Sequence, residues 1–258
     1  MHSSYTLNVS SRHAAPAITE PTDSFVVPLD MDLHDVRSYK IALTNANWLD
    51  ARPHIHSYNN KVYFTETATE YVATLTTGFY NASTLATEVA AQMTAAGSLT
   101  YTCTYDSVSG KLTVSATGSF FIRDGVNNAY EQMGFPYILP SSAATSLVAP
   151  YTVDLSGAKY VDIATNLTNA RHASGNNTSV FCRVPLTGSP GGYVNFEPTP
   201  PHYMPVKESR VNRLYIRLTD DQGNPYEIGP RNHVSLTFQL DSGQAHGYDG
   251  GEGKRIPL

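Results

Sequence analysis

One amphipathic segment near the middle of the chain constrains the fold more than any other feature. Leu85, Val89 and Met93 recur every four residues, which places their side chains on one face of an α-helix. Asn81 or Ser83 is suited to cap the start of this helix. Most of the remaining sequence consists of short runs that alternate apolar and polar residues, as strands do. The sequence therefore predicts one main helix in a protein otherwise built from β-strands.

A β-hairpin is predicted directly after the helix. Gly97 is suited to end the helix in the left-handed conformation. The segments 99–105 and 111–115 then alternate on either side of a turn, in which Gly110 suits a position of positive φ. With a short helical turn at 128–133, these elements form a compact unit within a larger sheet protein.

Composition supports an all-β fold and argues against several classes of function. The 258 residues suffice for one large domain, only 15% are charged, and the formal net charge is −5. This balance offers no basic face for a phosphate backbone, so we expect no direct nucleic-acid binding. No apolar run has the length of a membrane span, so we expect none. We also expect the chain to be made inside a cell.

Alternation and turn residues divide the chain into a β-sandwich with an inserted α+β lobe. One strand segment, 213–219, places Leu214, Ile216 and Leu218 inward, and 234–240 repeats the pattern after a turn. The predicted parts are an N-terminal arm at 1–22, a discontinuous sandwich at 23–75 and 150–240, the insertion lobe at 76–149, and a flexible C-terminal tail at 241–258.

The sequence contains no set of residues that predicts a catalytic, metal or cofactor site. His54 and His56 would share one face of a strand, as in a cupin-like metal site, but the Glu and the third His that such a site needs are missing. We therefore expect exposed histidines on a turn at the rim of the sheet. Cys103 and Cys182 are far apart and have the pattern of structural thiols. The prediction is a protein that is not an enzyme and needs no cofactor.

Residues 220–225 superficially resemble a calcium-binding loop. They lack the spaced acidic ligands and the terminal Glu of an EF-hand. A turn between two strands is the better interpretation.

In this order, the elements resemble the penton base-like vertex proteins of adenoviruses and of the related virophage and Polinton-type elements. The resemblance rests on five features: an extended run with Gly-x-Tyr, an amphipathic helix, a hairpin, a Met-Gly-Phe sequence that ends this unit, and a C-terminal Asp-x-x-Gly-x-Pro turn. These are residues 70–80, 85–93, 109–113, 133–135 and 220–225. The order of elements covers most of the chain, although each motif is short.

The resemblance implies a single jelly-roll sandwich with an insertion between its early and late strands. It also implies a structural capsid protein of which five copies close an icosahedral vertex of the virion. The partners are then other copies of the chain and the neighbouring major capsid protein. The chain has no Arg-Gly-Asp, since Arg123-Asp124-Gly125 has a different order, so binding to a host receptor or a fibre stays open.

Two aromatic residues are candidates for the interface between subunits. Tyr193 and Phe196 lie in the segment 186–205, which is rich in Gly, Pro and Thr and which we interpret as a long ordered loop. Their rings can be buried in an interface between subunits, but they can equally stack on sugars. A jelly-roll module that binds carbohydrate or a receptor therefore remains an alternative function, as does a minor capsid or cement protein away from the vertex.

Overall fold

The computed structural model describes residues 4–17, 22–33, 39–136, 143–168, 180–188, 190–207, 210–228 and 231–242. Two α-helices lie in this part of the chain, α1 (Ala82–Ala96) and the short α2 (Tyr130–Met133), together with a 3₁₀ turn at Ser11–His13. The strands in chain order are β1 (Ser4–Ser10), β2 (Ser24–Asp32), β3 (Tyr39–Leu49), β4 (Lys61–Glu66), β5 (Thr69–Thr74), β6 (Tyr101–Asp106), β7 (Lys111–Ile122), β8 (Ala144–Val148), β9 (Tyr160–Thr165), β10 (Val180–Pro185), β11 (Tyr193–Phe196), β12 (Met204–Pro205), β13 (Arg210–Thr219) and β14 (Ser235–Ser242).

Two antiparallel sheets form a jelly-roll sandwich. The first sheet has the order β1-β14-β3-β11, with β12 also paired to β3, and the second has the order β10-β9-β13-β2. Leu214, Ile216 and Leu218 of β13 are fully buried between the sheets, which confirms the predicted inward face of this strand. Trp48 from β3 and Phe238 from β14 complete the same core. The fold class is therefore all-β, as predicted.

The inserted lobe has a sheet and a core of its own. Its strands have the order β5-β4-β7-β6, with β8 paired to β7, and α1 packs against β5 and β6. Leu85, Val89 and Met93 are fully buried in this second core, which confirms the face predicted for the helix. The β6–β7 hairpin is also confirmed, with Gly110 at a φ of +70° in its turn.

Both ends of α1 are fixed by specific polar contacts. At the start, the Asn81 side chain accepts from the Thr84 N–H at 2.9 Å, and the Thr84 hydroxyl accepts from the Asn81 N–H at 3.0 Å. At the end, the left-handed conformation expected of Gly97 is wrong, since its φ is −93°. Glycine is needed there for space, because a Cβ would lie 2.2 Å from Oε1 of Glu66. The helix therefore ends directly against a buried carboxylate.

The lobe is larger than the sequence analysis predicts. The sandwich was expected to extend to residue 75, but Val62, Phe64, Ala73 and Leu75 of the β4–β5 region point into the lobe core. The reason is their pairing: β4 pairs with β7 across 120–122, a contact between residues far apart in sequence. The lobe core therefore draws on residues from Ile55 onward.

The N-terminal segment is also placed differently from the prediction. Residues 1–22 were expected to form an arm outside the core, yet β1 pairs along its length with β14 and Val9 is buried. The cause is that Leu7 and Val9 alternate inward, opposite the apolar face of β14. Asp241 and Ser242 of the predicted tail belong to β14, whereas residues 243–258 lie outside the described part of the chain.

In the part of the chain that the structure describes, neither helix has the length and apolar character that a membrane crossing requires.

A buried carboxylate joins the helix to the hairpin. Glu66, at the end of β4, is 6% exposed. Its oxygens accept from the N–H of Ser98 at 2.9 Å, from the N–H of Leu99 at 3.2 Å and from the Tyr101 hydroxyl at 2.9 Å. Burial and the Glu66 carboxylate raise the pKa of Tyr101, so its hydroxyl stays protonated and donates. Glu66 thus satisfies the backbone that follows α1.

We predict that Glu66→Ala destabilises the lobe by about 3 kcal/mol, because it leaves buried donors without an acceptor. Urea unfolding followed by the helical circular dichroism signal measures the change. Glu70→Ala is the matched control, since Glu70 is exposed and makes only a surface ion pair with Arg123, for which we expect less than about 1 kcal/mol. Equal losses in the two variants would contradict the role assigned to Glu66.

Candidate assembly interface

The segment that carries Tyr193 and Phe196 is a strand at the edge of the first sheet. Residues 186–205 were expected to be a loop, but Tyr193–Phe196 forms β11 and pairs with β3. The aromatic and β-branched residues of Tyr-Val-Asn-Phe, which favour strands, are the signal that could have predicted this strand. β11 ends the order of this sheet, and no other described strand pairs with its outer side.

Tyr193 and Phe196 occupy opposite faces of β11. Tyr193 is 70% exposed, whereas Phe196 packs against the sandwich core together with Val194. Both were predicted as candidate interface residues; Tyr193 is largely exposed and Phe196 is half-buried. Phe196 therefore helps to hold β11 against the core of its own subunit.

A second apolar side chain lies beside Tyr193. Leu49, the last residue of β3, is its direct partner across the strands and is 41% exposed. Directly paired residues in antiparallel strands have their Cβ atoms roughly 5 Å apart on the same face. Backbone hydrogen bonds between Asp50 and the 191–192 segment extend this pairing beyond the strand. We call Leu49 and Tyr193, together with the open side of β11, the β11 edge. This rigid apolar surface can be buried against another subunit.

A polar cluster lies where the lobe joins the sandwich, and its centre is the turn after β13. Asp220 is 5% exposed, and its Oδ1 accepts from the N–H groups of Gln222 at 3.0 Å and Asn224 at 2.7 Å. Its Oδ2 accepts from Arg52 Nη1 at 2.8 Å. Asp220 therefore satisfies the turn itself and a buried cation.

The same turn anchors both connections of the lobe. Arg52 lies on the outgoing connection, directly after β3. On the returning connection, the Lys159 N–H donates to Asp221 Oδ2 at 3.2 Å. A third contact reaches the lobe itself, because Gln222 Nε2 donates to Glu131 Oε2 at 2.8 Å. We refer to residues 220–225 as the junction turn.

A buried tyrosine extends the cluster into the sandwich core. The Tyr226 hydroxyl donates to Asp50 Oδ1 at 2.6 Å, and Trp48 Nε1 donates to the Tyr226 oxygen at 3.4 Å. Burial raises the pKa of Asp50, although the hydrogen bond from Tyr226 opposes this shift, and burial also raises the pKa of Tyr226. The space among these groups is about 40 Å³, far below the roughly 300 Å³ at which ligand pockets begin. The cluster has no room for a substrate, and its polar groups hydrogen-bond to one another instead.

His54 and His56 hold the outgoing connection by accepting backbone hydrogen bonds. Nδ1 of His54 accepts from the Tyr80 N–H at 2.8 Å, and Nδ1 of His56 accepts from the Tyr58 N–H at 3.3 Å. Burial, followed by the nearby Arg52 charge, lowers the pKa of His56 to about 3. The expectation of exposed histidines is wrong, since both are partly buried. Burial also lowers the pKa of His54, so both rings are neutral at neutral pH and can accept at Nδ1.

Other groups that could support chemistry are engaged or protonated. Among the described residues, no three His, Cys, Asp or Glu side chains are grouped so that they could hold a metal ion. Burial raises the pKa of Cys103 to about 12 and that of Cys182 to about 11. Both are therefore thiols rather than nucleophilic thiolates at neutral pH.

We predict that Arg52→Met destabilises the chain by about 3 kcal/mol, because it leaves the buried Asp220 without its cation. Trp48 is the single tryptophan, so its fluorescence reports on the sandwich while circular dichroism reports on α1 in the lobe. We expect the two unfolding transitions to separate in the variant. The double variant Arg52→Met/Asp220→Asn serves as control and should recover part of the loss. A single transition with unchanged midpoint in Arg52→Met would contradict this role.

Protein-family models and curated proteins give no match to this chain. Among solved structures, the chain is similar to the mavirus penton protein, known from a crystal structure of its selenomethionine-labelled form. The alignment covers 93% of this chain and 99% of that chain, with 11% sequence identity and a TM-score of 0.49.

Proposed function

We propose that this chain is a structural capsid protein that forms homopentamers at the icosahedral vertices of a virion. The resemblance of its sequence motifs implies this role, and the lobe inserted between β3 and β9 of a jelly-roll sandwich has the order of elements that the resemblance requires. Fold alone does not establish a function. The proposal therefore depends on a physical feature of the sandwich that favours assembly.

The observation that carries the proposal is the contrast between the edges of the two sheets. Edge strands of proteins that do not assemble are usually protected by charges or prolines. β2 and β10, which end the second sheet, contain such residues: Pro28, Asp30 and Asp32 in β2, and Arg183 and Pro185 in β10. β1 and β11, which end the first sheet, contain neither charge nor proline. On the β11 side, the two-residue β12 also pairs with β3 and ends in Pro205, so the unprotected part of that edge is β11 alone. The first sheet is thus suited to edge contacts along β1 and along β11.

Two different open edges on one sheet suit a ring. A contact between the β11 edge of one subunit and the β1 edge of the next is heterologous, and heterologous contacts close into a ring when the rotation between subunits allows it. Tyr193 and Leu49 supply apolar area at this seam. Permanent interfaces of this kind often bury about 2,000 Å² or more, so surfaces near β11 contribute as well. The major capsid protein is the second partner in this proposal.

We predict that the purified chain has a molecular mass five times its 28.1 kDa when measured by light scattering. The physical reason is that the head-to-tail contact is satisfied in every subunit only when the ring closes. The measurement should be made over a range of concentrations, since a ring dissociates on dilution. A stable monomer, dimer or trimer at high concentration would count against the vertex role.

We predict that the double variant Leu49→Lys/Tyr193→Lys weakens the ring at least about tenfold, since it places two charges in a buried seam. Both side chains are exposed in the single chain, so its thermal stability should be unchanged. Tyr215→Lys is the matched control, because Tyr215 is 41% exposed, as Leu49 is, but lies on the outer face of the second sheet. Dissociation by the control alone would place the seam on the second sheet instead.

A further inference from the structure

The outgoing connection, residues 50–60, contains two histidines that use the same ring nitrogen in the same way. Nδ1 of His54 accepts from the Tyr80 N–H at 2.8 Å, and Tyr80 directly precedes the N-cap of α1. Nδ1 of His56 accepts from the Tyr58 N–H at 3.3 Å, within the connection itself. Both rings therefore present an unprotonated nitrogen to a backbone donor.

Arg52 places a second demand on His56 and links it to the junction turn. Its Nη2 lies 3.3 Å from His56 Nδ1, while its Nη1 donates to Asp220 Oδ2 at 2.8 Å. Because a guanidinium can only donate hydrogen bonds, Nδ1 of His56 must be the acceptor in this contact. One cation thus holds both the buried carboxylate of the junction turn and the ring of His56.

A proton on Nδ1 of either ring is incompatible with these contacts. An imidazolium carries an N–H on both ring nitrogens, so it offers no acceptor to a backbone donor. A charged His56 would also lie beside the Arg52 guanidinium, and two like charges in contact repel each other. Proton uptake by these histidines therefore requires the connection to open.

The carboxylates around the two rings do not reverse this preference. Those that border the same spaces are Asp50, Glu131, Asp154, Asp220, Asp221 and Glu227. Burial lowers the pKa of His54, although the nearby Asp50 charge opposes this shift. Burial, followed by the Arg52 charge, lowers the pKa of His56 to about 3.

The tyrosine hydroxyls that border these spaces add no charge. Burial raises the pKa of Tyr58 and that of Tyr226, so both hydroxyls stay protonated at neutral and mildly acidic pH. Both histidine rings are therefore neutral while the connection is closed.

We propose that the outgoing connection is an acid-sensitive latch, which opens when His54 and His56 take up protons and then no longer fixes the orientation of the lobe on the sandwich. The lobe core stays outside this change, because Ile55 is fully buried in it and its backbone pairs with Gly78. The latch therefore reorients a folded lobe rather than unfolding it. It operates within a single chain, so it does not depend on the vertex role.

The direction of the pH dependence follows from the lowered pKa values. In the open state, both histidines have the ordinary pKa of about 6.5. The preference for the closed state is thus complete above this pH and decreases as the pH falls below it. For His56, whose pKa is about 3 in the closed state, the open state gains about tenfold between about pH 7.5 and about pH 5.5. Proton uptake by His54 adds to this gain.

Hydrogen exchange of the full-length chain at these two pH values, measured by mass spectrometry and corrected for the intrinsic exchange rate, reports the opening. We expect the protection of the Tyr58 amide to fall about tenfold on acidification, and that of the Tyr80 amide to fall with it. The amides of Leu214 and Ile216 in the sandwich should keep their protection. Unchanged protection at Tyr58 and Tyr80 overturns the proposal, as does an equal loss in the sandwich, which would be general acid unfolding.

The double variant His54→Asn/His56→Asn separates titration from structure. The asparagine Oδ1 lies nearly where the histidine Nδ1 lies, and it accepts the same N–H without titrating. We expect protection close to that of the unmodified chain at neutral pH and no loss on acidification. His202→Asn is the matched control, because His202 is exposed and lies outside the latch, so this variant should keep the full pH dependence.

A pH dependence that persists in the double variant overturns the proposal. The imidazole nitrogen chemical shifts of the unmodified chain provide a further readout that needs no substitution. We expect both Nδ1 atoms to show the shift of an unprotonated nitrogen at neutral pH, and a protonated Nδ1 in either ring also overturns the proposal.

Discussion

The ion pair between Arg52 and Asp220 is the interaction on which the placement of the lobe depends. It lies where the chain leaves β3, its N···O distance is 2.8 Å, and its side chains are only 9% and 5% exposed. Buried ion pairs contribute little net stability, because desolvation of the two charges offsets their attraction. Breaking one is nevertheless costly, so the pair disfavours every arrangement in which Arg52 and Asp220 separate. Its main effect is therefore to fix geometry.

The junction turn holds both connections of the lobe in place. Asp220 holds the outgoing connection, and Asp221 accepts from the Lys159 N–H on the returning one. The lobe meanwhile has its own buried core, which includes α1, β4 and β7. A small set of polar contacts thus orients two bodies that are each stabilised mainly by apolar burial. We infer that the lobe and the sandwich fold on separate cores and become one unit through this turn.

Local patterns in the sequence predict most helices and strands. Which sheet a strand joins depends on pairing between residues far apart in the chain, which local patterns do not show. The helix with Leu85, Val89 and Met93 and the hairpin after it follow from spacing and turn residues alone. The β4–β5 hairpin shows the same alternation whether it lies in the sandwich or in the lobe, and only its pairing with β7 assigns it to the lobe. β1 was missed for a related reason, since its partner β14 lies more than 200 residues away. Tyr193 and Phe196 were both predicted as aromatic residues of an ordered loop, and their opposite directions required the register of β11 with β3.

The position of the lobe leaves the lateral edges of the sandwich open. β3 ends, β9 begins and β13 ends at the same end of the sandwich, because Thr219 pairs with Asp162 and Arg52 bridges to Asp220. The lobe is attached at this end, and it does not bury Tyr5 of β1 or Tyr193 of β11, which are 54% and 70% exposed. The proposed seam therefore uses strand edges that stay open when the lobe is in place.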